Sequence, residues 1–137
     1  MKKNFLIEDN YAFILEGVHI DLHNNFDFIS LIYSIEKNLI TLNWKKAVGD
    51  WVKHDEFKNI RLIFKEILSF NLLDNNSANQ NSDTVSSVGY LHPDDIEFMG
   101  GCLDEQESDE TYHMIFIFEG GMKLKIFAEE VFLEEYV

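Results

Sequence analysis

The chain has 137 residues, 46% of them hydrophobic and 14% aromatic, with one Pro and the single cysteine Cys102. That length suits one domain, 1–137, and buries roughly two-thirds of the surface its unfolded form exposes, so no staples are needed to hold a core. Twelve Phe and five Tyr exclude a solvated coil. One cysteine excludes a disulfide framework and a multi-Cys zinc site, and no apolar run approaches the roughly 18 residues of a membrane span. Glu8 and Asp9 interrupt the start before a signal-peptide core can form, so the expected compartment is a reducing cytosol.

The net charge is −14 and unevenly placed. Residues 1–73 carry nine Lys/Arg and ten Asp/Glu, whereas residues 74–137 carry two Lys and fifteen Asp/Glu. Such a chain is a poor ligand for nucleic acid or anionic membranes, both of which need clustered Lys and Arg. It suits a basic protein partner, although acidity also serves solubility alone.

In chain order, Phe13–Leu22 reads as a segment that continues a sheet. Asp27–Ile35 alternates Phe28, Ser30, Ile32 and Ser34 with Ile29, Leu31, Tyr33 and Ile35. Glu36-Lys37-Asn38 then turns it into Leu39–Trp44, making a hairpin rich in β-branched and aromatic residues. Ala47–Phe57 reads as a short helix or an irregular excursion. Asn59–Leu73 alternates through Ile60, Leu62 and Phe64 until Glu66 falls where a buried residue belongs. A bulge near Glu66 restores the phase through Ile67; an amphipathic helix is the rival. Residues 74–87 are nearly all small and polar and form an expected surface loop, and 104–111 form an acidic one. Finally, Met114–Phe118 and Met122–Ile126 alternate about Gly120-Gly121, the sign of a tight hairpin. A two-residue turn there sets Ile117 against Leu124 and Ile115 against Ile126 on the core side, with Phe118 and Phe116 facing Lys123 and Lys125 on the other. The expected fold is all-β or mainly β, with α+β second: an antiparallel sandwich or curved sheet of about six to eight strands. Its expected core includes Ile32, Leu42, Trp44, Leu62, Phe64, Ile115, Ile117, Leu124 and Ile126.

Few residues suggest chemistry. His19, Asp21 and His23 share one face of a strand, or of a helix, and are the candidate metal ligands. No third partner motif accompanies them, and histidines near a strand end are ordinarily structural. Cys102 sits in apolar company, and no nucleophile elbow, phosphate loop or dinucleotide fingerprint occurs. The expectation is a protein without catalytic residues, metal or organic cofactor. The acidic series Asp94, Asp95, Glu97, Asp104, Glu105, Glu107, Asp109 and Glu110 lacks the glycine of a calcium loop and is the candidate surface for a partner's Lys and Arg. Tyr33, Trp51 and Tyr90 are the aromatics a small-molecule or carbohydrate-binding module would expose.

Leu22-His23-Asn24-Asn25-Phe26-Asp27, the strand pair to Trp44, Ile60–Ile67 and the closing hairpin together resemble small bacterial β-rich immunity proteins of polymorphic toxin systems and their uncharacterised relatives. The likeness spans residues 22–73 and 112–133. It implies a protein that acts by binding, here by occluding a basic toxin, and it carries over no catalytic residue. A β-domain with no toxin partner is the alternative.

Overall fold

Period-two alternation of Ile, Leu, Phe and Val runs through most of the chain, and it condenses into strands throughout. The structure, a computed structural model, describes residues 1–49, 57–73, 84–95 and 101–136. Among these residues there is no helix, and none therefore long and apolar enough to cross a membrane. The strands are β1 (Lys2–Lys3), β2 (Leu6–Glu8), β3 (Ala12–Leu15), β4 (Val18–Asp21), β5 (Phe26–Ser34), β6 (Leu39–Lys46), β7 (Asn59–Leu73), β8 (Val85–Leu91), β9 (His113–Phe118) and β10 (Lys123–Glu135). β5-β6-β7-β10-β9-β8 form one antiparallel sheet curled into a half-barrel, with β1 added parallel to β10. β2-β3-β4 form a separate three-stranded sheet.

Phe13–Leu22 therefore does not continue the main sheet. Two tight turns fold it back on itself. Asp9 and Asn10 both take positive φ (52° and 59°), and the Tyr11 amide donates to the Glu8 carbonyl at 3.2 Å; Glu16 and Gly17 repeat the conformation. This is the turn geometry that matches the twist of a hairpin. Phe13, Leu15, Ile20 and Leu22 pack from the small sheet onto Trp44, Leu42, Leu62 and Phe64 from the large one, and Phe13 meets Trp44 edge-on at 6.3 Å. The half-barrel also closes on itself, since Phe28 of β5 lies 4.9 Å from Phe118 of β9.

β7 is a strand, with its irregularity where Glu66 predicts it. Glu66 has φ 58°, Leu68 has no counterpart on β10, and Ile67 packs against the core. Inward positions switch parity across this point on both strands, from Phe64 to Ile67 and from Val131 to Ala128. A bend of this kind is how a sheet curls.

Two expectations are corrected by one-residue shifts. The β9–β10 loop contains Glu119, Gly120 and Gly121 rather than a glycine pair alone. Gly121 donates to the Phe118 carbonyl at 3.0 Å with φ 95°, and the Phe118 amide reaches Met122 O at 2.9 Å. The register becomes Ile117 with Lys123 and Phe116 with Leu124. Met114, Phe116, Phe118, Leu124 and Ile126 thus form the core side, and Ile117 is only half-buried on the other. Ile115 is buried there beside Lys125, whose ammonium reaches the carbonyls of Pro93 (3.1 Å) and Asp95 (2.6 Å). Ile32 is the second correction: it is 57% exposed. Ile29 bulges out of β5, so Phe28 and Leu31, rather than Ile32, face the core. The polar loop is also shorter than 74–87, because Val85–Ser87 belong to β8 and Val85 is buried opposite Phe118. Most of Ala47–Phe57, and residues 74–83, lie outside the described residues.

Candidate functional site: the acidic end

β8 finishes at Leu91, and the chain returns to bridge it. Leu103 exchanges both backbone hydrogen bonds with Tyr90, at 2.9 and 3.0 Å. Asn10, from the β2–β3 turn, accepts the Val88 amide at 2.8 Å through its carbonyl, and its side-chain amide donates to Val88 O and Leu103 O. Gly89 lies beneath them: a Cβ there would stand 2.4 Å from Cys102 Cβ and 2.6 Å from Leu103 O. The acidic segment therefore starts from a fixed point on the sheet edge.

From that point the eight candidate carboxylates have different fates. Glu105 turns inward. Its Oε1 accepts the Tyr90 hydroxyl (2.7 Å) and the Ile7 amide (2.9 Å), and its Oε2 pairs with Lys3 Nζ at 2.6 Å. Lys3 also donates to the Tyr90 hydroxyl and lies 4.7 Å from the ring centre. Burial, and then the bond to Glu105, push the Tyr90 hydroxyl far above the usual phenol range. Glu105 is thus occupied inside the fold and positions its neighbours. Asp104 and Glu107 lock the turn, with the Glu107 amide donating to Asp104 Oδ1 at 3.0 Å and the Asp104 amide to Glu107 Oε1 at 3.4 Å. Asp109 accepts the Thr111 hydroxyl and amide, which hold its carboxyl below the usual range. Glu107, Asp109 and Glu110 are exposed, as are Asp94 and Asp95; Glu97 lies outside the described residues.

The arrangement adds two carboxylates that the sequence reading passed over. Glu8 and Asp9, from the nearly neutral part of the chain, face Asp104, Glu105 and Gln106 across a cleft of ≈ 500 Å³. Among the described residues, no Lys or Arg lines it. The only local signal was Asp9-Asn10, a pair that tolerates positive φ, and it marks a turn without saying what the turn approaches.

The proposed metal ligands are not gathered. His19 Nε2 lies 3.5 Å from Glu8, Asp21 accepts the Asn24 amide and side chain at 2.9 and 2.8 Å, and His23 Nδ1 lies 2.8 Å from Val85 O. Among the described residues, no group of three His, Cys, Asp or Glu is close enough to share an ion. Burial pushes the Cys102 thiol up to about 11, far from the activated thiolate of a nucleophile. Of the three aromatics, Tyr90 is buried, Tyr33 is 39% exposed and packs edge-on against Phe70, and Trp51 lies outside the described residues. Comparison of the chain with protein-family models, with characterised proteins and with solved structures gave no match.

Proposed function

We propose that this chain is a non-catalytic cytosolic binding protein that takes a basic protein against its acidic end, in the manner of an immunity protein occluding a toxin. The observation that carries the reading is the cleft lined by Glu8, Asp9 and Asp104 beside the Lys3-paired Glu105, with no Lys or Arg among the described residues of its lining. Exposed Asp94, Asp95, Glu107, Asp109 and Glu110 extend the same sign of charge beyond it. A field of one sign over a shaped surface steers an oppositely charged partner, to about 10⁸–10⁹ per molar per second at low salt. In the complex, Lys or Arg of the partner enter the cleft and pair with Glu8, Asp9 and Asp104, while Glu105 holds Lys3 and Tyr90 in place behind them. A rigid sheet suits such work because its loops vary without altering the scaffold.

Co-expression with the product of the adjacent reading frame tests the role, with rescue of growth as the expected result. Asp9→Lys with Asp104→Lys and Glu107→Lys should slow association and flatten its salt dependence. Binding indifferent to both salt and charge reversal refutes the electrostatic mechanism. Absence of any toxic neighbour or captured partner refutes the role and favours a small-ligand module.

A further inference from the structure

The main sheet has two edges, and only one is finished. Asn10 and Leu103 hydrogen-bond along β8. Among the described residues nothing pairs with β5 on the side away from β6. From Phe28 to Ser34 that edge has no charge and no Pro, Ile29 and Ile32 stand exposed on it, and Ile35 just past its end is 84% exposed. Natural edges are ordinarily guarded by Lys, Pro, a bulge or a covering segment. Here the one guard is the bulge at Ile29, which leaves Ser30–Ser34 regularly paired with β6 and open on the outside.

We propose that β5 pairs antiparallel with β5 of a second copy of this chain, across a twofold axis at Ile32, to make one continuous sheet. The sequence is self-complementary about that residue. Within the regular part of the strand, Ser30 falls opposite Ser34, Leu31 opposite Tyr33, and Ile32 opposite itself. Moving the axis to Leu31 sets Ile32 against Ser30, and moving it to Tyr33 sets Ile32 against Ser34. Of these three registers, only the one at Ile32 matches apolar with apolar and hydroxyl with hydroxyl, the cross-strand preference of antiparallel pairs. Net charge does not oppose the contact locally, since β5 lies in the nearly neutral residues 1–73. A twofold contact uses the same patch on both copies, as this one does.

Sedimentation equilibrium of the full chain over a range of concentrations should give twice the chain mass at the upper end. Ile32→Lys places like charges at the axis and should return the mass to that of one chain while circular dichroism stays unchanged, because Ile32 contributes nothing to the core. In a Cys102→Ser background, Ile32→Cys should couple to its own copy with a short thiol-reactive cross-linker. Leu68→Cys, comparably exposed on β7, should not. A single-chain mass at every concentration overturns the proposal. So does a dimer that persists in Ile32→Lys, or one whose Ile32→Cys form fails to cross-link.

Discussion

The β8 edge and the β5 edge belong to one sheet, yet they solve the problem of unpaired backbone in opposite ways. At β8 the chain covers the edge with Asn10, Cys102 and Leu103 and ties the cover down through Glu105, Tyr90 and Lys3. At β5, among the described residues, nothing covers the apolar side chains or pairs with the outer backbone. The covered edge carries the carboxylates and the exposed edge carries almost no charge. The two proposals therefore fall on different surfaces, so a change at one edge leaves the other as it is.

The largest way to break the contrast is at Gly89. An alanine there would drive its Cβ to 2.6 Å from both Asn10 Nδ2 and Leu103 O. Chemical denaturation of Gly89→Ala should show a loss of about 3 kcal/mol, because the cover must lift off the edge. Glu105→Ala comes next. It removes three hydrogen bonds at once, so that the Ile7 amide loses its acceptor and the Lys3 ammonium keeps only the Tyr90 hydroxyl, for a loss of about 2 kcal/mol. Glu105→Ala should also weaken partner binding, whereas Gln, which keeps the shape, should preserve more of both.

His113 gives a smaller, pH-dependent effect on the face behind the covered edge. Its ring stacks on Phe127 at 4.8 Å, and burial, then Lys125, then His92 hold its pKa below the usual histidine value. The unfolded chain therefore binds the proton more readily than the folded one. This contribution is complete above the ordinary pKa of about 6.5 and is lost as the pH falls from there through the depressed folded value. Unfolding followed against pH should show that acid-side slope, and His113→Phe should remove it. The smallest effect belongs to the bare edge. Ile32→Thr should change the stability of a single chain by no more than about 0.5 kcal/mol, a result that separates the exposed Ile32 from the buried core position its alternation suggests.

Much of the fold was legible because burial imposes a period. Leu42, Trp44, Leu62, Phe64, Leu124 and Ile126 sit where alternation puts them, and Glu66 marked its own irregularity by standing where an apolar residue belonged. The failures share one cause. Side chains alternate with a period of two, so a single extra residue exchanges the faces. Ile29 does this to β5, and the third loop residue does it to the β9–β10 hairpin. Both readings had alternation right and phase wrong. The site was less legible for a different reason. Its charge could be read from composition, but the fate of each carboxylate depends on contacts distant in sequence. Glu105 meets Lys3 and Ile7, and Asp104 faces Glu8 and Asp9. Nothing local to residues 104–110 records either.

The parallel pairing of Lys2 and Lys3 with Glu130 and Val131 has a consequence for the order of events in time. β5, β6 and β7 follow one another and can zip together as soon as they exist. β7 then waits with its second side open for β10, and β1 waits longer still, because its partner also lies in the last strand. Sheets closed by contacts this remote in sequence fold slowly, on the order of milliseconds to seconds, since the chain must be gathered before those contacts reward it. Until β10 has left the ribosome, the second side of β7 offers its unpaired amides and carbonyls to any other strand nearby. The interval in which β7 is open to mispairing is therefore set by the length of chain that separates it from β10.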